Sequence, residues 1–237
     1  MKLVKQTMVY QPIVAHPLNG VPSIVGFEAL WQPRHGSPPE AFRVQRQNGT
    51  LTLADLSCID SAWKGRPALN LQKKLHINVF PATLETQDFW QWLNRLPANV
   101  PITWELVELP WTETTLERLE CLRSRGFSIA LDDIGQHVGT WKALKEFTPD
   151  IIKLDARVTR PTRRNEHILK SVVAYIKTRS VSLVGEGIES QQQLSWLQSL
   201  GIDNFQGFYY HHPAPVTPGE PFIMDDELSV SKRTDIL

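Results

Sequence analysis

The sequence predicts a single-domain α/β fold, a TIM-like (β/α)8 barrel, and three observations lead to this prediction. Short apolar runs alternate with segments of helical period from about residue 8 to about residue 210, which is the pattern of a repeated βα unit. The connections between these segments are short throughout. The apolar runs number eight, which is the strand number of such a barrel.

The predicted strands are short apolar segments, and several of them contain one polar residue near the carboxyl end. In chain order they are VYQPIV (9–14), SIVGFEAL (23–30), LHINVF (75–80), ITWELV (102–107), FSIALDD (127–133), IIKLD (151–155), SLVGE (182–186) and NFQGF (204–208).

Helical periodicity is clearest in two segments between these strands. Residues 52–65 carry apolar side chains at three-residue steps, and residues 167–180 show a similar stripe. A third helix is predicted to begin after Ser190 as its N-cap and to end at Gly201. We interpret these apolar stripes as packing faces.

The barrel domain is predicted to occupy residues 1–215. Residues 216–237 are expected to form a tail that is strapped to the surface or disordered. This division leaves no room for a separate sensor domain. We therefore expect regulation through expression level, oligomerisation or a partner.

Composition restricts the classes of function. The 25 basic and 25 acidic residues balance, so no general affinity for DNA or for a membrane surface is expected. Cys58 and Cys121 match neither a zinc motif nor a disulfide framework, and we interpret them as packing residues. The amino terminus lacks the long apolar stretch of a signal peptide or membrane span, which predicts a cytoplasmic protein.

Polar side chains recur near the carboxyl ends of the predicted strands. Burying an ionised carboxylate is unfavourable unless it is paired or bound to a metal, so this recurrence needs a common explanation. A polar site at the carboxyl-terminal mouth of a parallel barrel supplies one. The residues are Glu28, Asn78, Glu105, Asp132, Asp133, Lys153, Glu186 and Gln206.

The charges of this set predict a metal site. Five carboxylates face a single ammonium group, and oxygen ligands with an excess of negative charge suit Mg²⁺ or Mn²⁺. Two such ions can clamp a phosphodiester and activate water, which predicts metal-assisted phosphoryl hydrolysis. Taken singly, a strand-end acid is more often a helix cap or a surface group, and Lys153 or Asn78 has an equally ordinary explanation. The set as a whole favours the site.

The same residues lie in strings that resemble the EAL domain family, the cyclic di-GMP phosphodiesterases named for the tripeptide that is Glu28-Ala29-Leu30 here. These strings span nearly the whole chain in the expected order. They are YQPIV (10–14), GFEAL (26–30), HINVFP (76–81), WELVE (104–108), IALDDIG (129–135), PDIIKLD (149–155), VGEGIES (184–190) and LGIDNFQGFYYHHPAP (200–215).

The resemblance implies hydrolysis of cyclic di-GMP to linear pGpG by water, assisted by two Mg²⁺ or Mn²⁺ ions per site. It implies metal ligation by Glu28, Asn78, Glu105, Asp132 and Asp133. It implies catalytic roles for Glu186, Lys153 and Glu28, and substrate contacts from Gln11, Leu30, Gln32 and Gln206. It further implies that Glu108 and Glu189 anchor a loop, and that two copies of the chain form a homodimer.

Two departures from the family pattern bear on activity. Gln32 stands where the family usually has an arginine that meets a substrate phosphate, and losing such a contact costs about 1.5–3 kcal/mol of binding. The family loop D-D-F-G-T-G reads D-D-I-G-Q-H here, so His137 replaces a glycine while both aspartates remain. We interpret His137 as a solvated loop residue rather than a metal ligand.

These departures leave alternatives open. A degenerate EAL domain that senses cyclic di-GMP, or holds a protein partner without turnover, is the main alternative to a phosphodiesterase. An unrelated barrel metalloenzyme that acts on another phosphoester is a third hypothesis, and it depends on the charge pattern alone.

Overall fold

The computed structural model describes residues 3–66, 69, 72–107, 111–136, 144–176 and 178–216. Its eight strands form a closed barrel in which each strand pairs with the next and the first pairs with the last. The predicted barrel is therefore confirmed. The strands are β1 (Met8–Ala15), β2 (Ser23–Trp31), β3 (Lys74–Val79), β4 (Ile102–Leu106), β5 (Ser128–Ile134), β6 (Ile151–Leu154), β7 (Ser182–Gly185) and β8 (Asn204–Phe205).

The direction of β1 differs from the expectation of a fully parallel barrel. β1 runs antiparallel to both β2 and β8, whereas the pairs from β2 through to β8 are parallel. A parallel crossover needs roughly a dozen residues or more, and the connection over residues 16–22 is too short for one. The chain instead reverses near Asn19, whose φ is 64°, a left-handed value that asparagine tolerates. The expectation was therefore wrong for the first strand.

The helices pack on the outer face of the barrel. The apolar stripe predicted over residues 52–65 belongs to α2, and Leu56, Ile59 and Ala62 of this stripe lie in the main apolar core with outward-facing strand residues. In the described parts of the chain the helices are α1 (Pro38–Gln47), α2 (Leu51–Gly65), α3 (Pro81–Leu84), α4 (Gln87–Leu93), α5 (Glu113–Ser124), α6 (Arg163–Ile176) and α7 (Gln191–Ser199).

The predicted start of α7 is confirmed, whereas the predicted ends of α6 differ from those in the structure. The Ser190 hydroxyl accepts a hydrogen bond from the backbone N of Gln193, which confirms the predicted cap of α7. The helix predicted over 167–180 begins earlier, at Arg163, and ends at Ile176. Its start is explained by Thr162, whose Oγ1 accepts a hydrogen bond of 3.1 Å from the backbone N of Asn165.

The inner face of the barrel has an apolar layer beneath a polar layer. The apolar layer includes a small buried cluster of Ile13, Ala130, Ile151 and Val184. Because successive side chains of a strand point to opposite faces, residues two positions apart share a face. Asp132, Lys153 and Glu186 therefore lie on the inner face one level nearer the carboxyl ends of their strands. The fold thus places the polar residues at one mouth.

The remaining predictions concern the cysteines, the membrane and the tail. Cys58 is buried, Cys121 is partly buried, and both are free thiols. Within the described segments no helix has the length and apolarity that a membrane span requires. Residues 217–237 of the predicted tail lie outside the described residues.

Gly207 makes a close backbone contact just after β8. A Cβ at this position would lie 2.2 Å from the backbone O of Ile188 and 2.3 Å from its N, so the contact requires glycine. We expect Gly207→Ala to lower the free energy of unfolding, measured in urea, by about 1–3 kcal/mol. Gly185→Ala is the matched control, because its Cβ would meet only side-chain carbons at 3.3 Å or more. Equal losses in the two variants would contradict this account.

A candidate metal centre at the barrel mouth

Lys153 lies fully buried at the centre of the polar layer. Its Nζ is 3.0 Å from Glu28 Oε2, 3.0 Å from Glu105 Oε2, 3.2 Å from Asp132 Oδ1 and 2.9 Å from Glu186 Oε1. These four carboxylates come from β2, β4, β5 and the end of β7. The structure therefore brings the predicted acidic residues around one ammonium group, with negative charge in excess.

Side-chain amides surround Glu28 on the side of β1 and β3. Asn78 Nδ2 donates to Glu28 Oε1 at 2.9 Å, and Gln206 Nε2 donates to Glu28 Oε2 at 2.7 Å. Gln206 Nε2 also lies 3.0 Å from Gln11 Oε1, and Gln11 Nε2 donates to the backbone O of His211 at 3.0 Å. The reversal of β1 puts Gln11 in register with Glu28, which is why the first strand contributes to the site.

Asp132 and Asp133 are consecutive, yet their carboxylates both reach the mouth. In a regular strand they would point to opposite faces. The pairing of β5 with β6 shifts register between Leu131 and Ile134, and Asp133 has a φ of 55°. This irregularity breaks the alternation, as a bulge does. The left-handed backbone of Asp133 is uncommon outside glycine, asparagine and aspartate, and such conformations cluster at functional sites.

Sequence reasoning missed His76, which lies beneath the acidic residues. His76 is buried, and its Nδ1 is 2.7 Å from Glu105 Oε1. Burial, and then the charge of Lys153, lower the pKa of His76 to about 3, so the imidazole is neutral. Strand alternation could have found it, because His76 precedes Asn78 by two positions and so shares its face.

Burial and the shared ammonium set the protonation of the carboxylates. Burial raises the pKa of Glu28, but the Lys153 ammonium and hydrogen bonds from two amides outweigh burial and lower that pKa to about 2. Burial lowers the pKa of Lys153, but the surrounding carboxylates raise it well above its usual value. Burial dominates at three other carboxylates and raises their pKa values, namely at Glu105, Asp132 and Glu186. A bound dication would lower these pKa values and favour the ionised forms.

The oxygen atoms of the site fit hard divalent cations. Carboxylate oxygens of Glu28, Glu105 and Asp132 lie within 4.8 Å of one another, as do those of Asp132, Asp133 and Glu186. The two triads share Asp132, and each offers three carboxylate oxygens to a cation. Among the described residues, the buried atoms Asp132 Oδ1 and Gln206 Oε1 accept no hydrogen bond, although Lys153 Nζ lies 3.2 Å from the former. Such unsatisfied oxygens are the ligands that Mg²⁺ and Mn²⁺ prefer.

A pocket of about 420 Å³ adjoins these residues. Asn78 and Asp133 form its border with the acidic cluster, and Leu30 lines it as well. Trp31 and Phe42 contribute aromatic walls, and their ring centroids lie 4.7 Å apart. The pocket therefore joins an apolar cleft to the charged mouth, which is the usual composition of a ligand site.

The other predicted site residues lie farther from Lys153 or outside the described residues. Gln32 is exposed, and its backbone N donates to the backbone O of Thr7 at 2.9 Å. Glu189 is exposed, and its backbone N donates to Gln193 Oε1 at 3.1 Å. Glu108 and His137 lie outside the described residues, so the loop-anchoring pair stays a prediction.

Replacing Lys153 by Met tests the charge balance of the site. The substitution leaves two buried and two partly buried carboxylates without their shared ammonium, and we expect the metal-free free energy of unfolding to fall by about 3–5 kcal/mol. Added Mn²⁺ should restore part of this loss, because a ligand that binds only the folded state stabilises it.

Lys74→Met is the matched control in the same urea titration. Lys74 is an exposed lysine at the start of β3, where its Nζ donates to Ser128 Oγ at 3.0 Å. We expect this control to change stability by only about 0.5 kcal/mol. A metal-free Lys153→Met variant as stable as the control would contradict the central role of the ammonium.

Residues 4–213 of the chain match the EAL domain family. The chain is 27% identical over 212 residues to the blue light- and temperature-regulated antirepressor BluF of Escherichia coli K12, covering 84% of this chain and 52% of that protein. It is 30% identical over 176 residues to the probable cyclic di-GMP phosphodiesterase PdeA of the same strain, covering 68% of this chain and 24% of that protein. The chain thus spans about half the length, or less, of these curated relatives.

Solved structures give the same assignment. BlrP1 of Klebsiella pneumoniae, in complexes with cyclic di-GMP and either calcium or manganese, is 30% identical to this chain. The TM-scores are 0.77 and 0.76, and the matches cover 88% of this chain and 55% and 56% of the BlrP1 chains. From the matched length, the barrel and the strand-end residues together, we conclude that the chain belongs to the EAL domain family.

Proposed function

We propose that the protein hydrolyses cyclic di-GMP to linear pGpG, with two Mg²⁺ or Mn²⁺ ions at the barrel mouth. The observation that carries this proposal is the pair of oxygen triads that share Asp132 beside Lys153. Divalent cations bound there supply a Lewis acid that stabilises charge on the phosphate and lowers the pKa of a water molecule. The named phosphodiesterase relative and the nucleotide complexes of BlrP1 support the choice of substrate.

The chain supplies both the ligands and the charges that this reaction needs. Oxygens of five side chains would hold the cations, namely four carboxylates of the two triads together with Asn78, while Glu186 of the second triad is left to act on the water. Asn78 Oδ1 is suited to this because its Nδ2 already donates to Glu28. The ligands would be Glu28, Asn78, Glu105, Asp132 and Asp133. In our proposal Glu28 also aligns the reacting groups, because its carboxylate contacts the amides around it and Lys153.

Two residues would act on the reacting atoms themselves. The Lys153 ammonium would stabilise negative charge on the phosphate. Glu186, whose Oε1 is 2.9 Å from Lys153 Nζ, would accept a proton from the attacking water. The water oxygen forms a bond to phosphorus, one ester P–O bond breaks, and the released sugar oxygen takes up a proton.

Contacts to the substrate would come from the edge of the same mouth. Gln11 and Gln206 lie beside Glu28, and Leu30 lines the adjoining pocket, whose aromatic walls suit a purine base. Gln32 would contribute an amide at the rim. A homodimer stays a prediction.

Product analysis tests the proposed reaction. The purified protein is incubated with cyclic di-GMP and Mn²⁺, and the nucleotides are separated by chromatography. We expect pGpG from the wild type and a rate at least about 100-fold lower from Glu28→Gln, which removes a charged ligand with little change of shape. Glu166→Gln, at an exposed glutamate paired with Lys170 on α6, is the control and should keep the wild-type rate. A wild type that binds cyclic di-GMP but forms no pGpG would refute the proposal.

Gln32→Arg tests whether the neutral amide limits substrate binding. A charge-assisted hydrogen bond contributes about 1.5–3 kcal/mol, so an arginine here should lower the KM for cyclic di-GMP about tenfold or more. Steady-state kinetics measure this, and Gln32→Met is the size-matched neutral control. An unchanged KM in Gln32→Arg would show that this position does not meet the phosphate.

A second candidate function is regulation without turnover, as a cyclic di-GMP sensor or a partner-binding module. The antirepressor name of BluF favours it, together with Gln32 at the rim. Calorimetry that shows tight binding of cyclic di-GMP, with no product formed in the presence of Mn²⁺, would favour this function over hydrolysis.

A further inference from the structure

His76 contacts Glu105 from below, on the side away from the mouth. Its Nδ1 lies 2.7 Å from Glu105 Oε1, whereas Glu105 Oε2 lies 3.0 Å from Lys153 Nζ. The two oxygens of this carboxylate thus have different neighbours, an imidazole on one side and the centre of the site on the other. Both side chains are almost completely buried.

The barrel holds the imidazole ring in a space of fixed size. His76 precedes Asn78 by two positions on the same face of β3, so its ring lies one level deeper in the barrel than this proposed ligand. In register it pairs with Glu28 on β2 and with Thr103 on β4. Gly26 leaves room for the ring, because a Cβ there would lie 3.2 Å from both Cδ2 and Nε2 of His76. The ring therefore has little freedom to turn away from Glu105.

When Glu105 is ionised, the hydrogen of this contact lies on Nδ1. An ionised carboxylate only accepts hydrogen bonds, so a Glu105 that binds a cation requires a donor at Nδ1 of the imidazole. A donor on one oxygen fixes the orientation of the carboxylate and directs the other oxygen at the ion. Residues that hold metal ligands in this way strongly affect metal affinity.

Building on the proposed function, we infer that His76 is a positioning residue for the divalent cation site. Its Nδ1–H holds Glu105 Oε1, so that Glu105 Oε2 is presented to the cation beside Lys153. His76 touches neither the substrate nor the cation in this role. Loss of His76 therefore acts directly on metal affinity, and it affects the reaction at the phosphate only through the metal.

Manganese titration of matched variants tests the inference. Free Mn²⁺ is followed by electron paramagnetic resonance as it is added to the metal-free protein without nucleotide. His76→Leu removes the hydrogen-bond donor and fills the space of the ring with an apolar side chain. We expect it to weaken Mn²⁺ binding by about 10–100-fold. His76→Asn places an amide N–H near the position of Nδ1, and its affinity should stay within about threefold of the wild type.

The control is Thr103→Val in the neighbouring strand. Thr103 is fully buried in the same layer, and within the described part of the chain its Oγ1 has no hydrogen-bond partner. Its replacement should leave Mn²⁺ affinity unchanged. If His76→Leu does not fold, as judged by circular dichroism, His76→Gln takes its place, because its longer side chain carries the amide beyond the position of Nδ1.

The outcomes separate this inference from the proposed function. Wild-type affinity in His76→Leu, or equal weakening in the Leu and Asn variants, would overturn the positioning role. A wild type that binds Mn²⁺ but leaves cyclic di-GMP intact would contradict the proposed reaction, while the comparison of variants would still decide the role of His76. A wild type that binds no Mn²⁺ would overturn both.

Discussion

The structure of the mouth depends on one buried ammonium group. Lys153 is the positive charge against which four carboxylates are packed, each within 3.2 Å of its Nζ. These carboxylates belong to different strands, so the ion pairs also fix the ends of β2, β4, β5 and β7 relative to one another. Without a compensating charge, desolvation would push these side chains apart or protonate them. The rigid barrel beneath them keeps the group together.

This charge balance also suggests an order of events in the proposed reaction. Five carboxylates face one ammonium at the mouth, although the chain as a whole has a formal net charge of zero. The negative charge is therefore a local property, and it repels the phosphates of a cyclic dinucleotide. Two bound divalent cations would neutralise this excess of negative charge. In the proposed function, cation binding thus comes before substrate binding or accompanies it.

Much of this arrangement could be predicted from the sequence because it depends on local patterns. The apolar runs predicted every strand, and the cost of burying Glu105 or Lys153 predicted that such residues meet at one mouth. The direction of β1 was also readable, since the connection over residues 16–22 is short. Thr162 likewise marks the start of α6, but the apolar stripe that predicted this helix begins only at residue 167.

Other features depend on pairing between distant strands and could not be read locally. The orientation of Asp133 requires the register shift between β5 and β6, which alternation within one strand does not predict. The contact of His76 requires three neighbouring strands in a particular register, together with the space above Gly26. In each case the residue type was visible in the sequence, whereas its partner was set by the closed barrel.

The reversed first strand has a consequence for how the protein is made. β1 closes the barrel against β8, and its Tyr10 exchanges two backbone hydrogen bonds with Ala214. The pair Gln11 and Gln206 is separated by 195 positions in the chain. During synthesis, one edge of β1 stays unpaired until β8 has left the ribosome. Barrel closure and completion of the candidate site are therefore late, coincident steps, and a chain that is interrupted before β8 leaves a sheet edge unpaired.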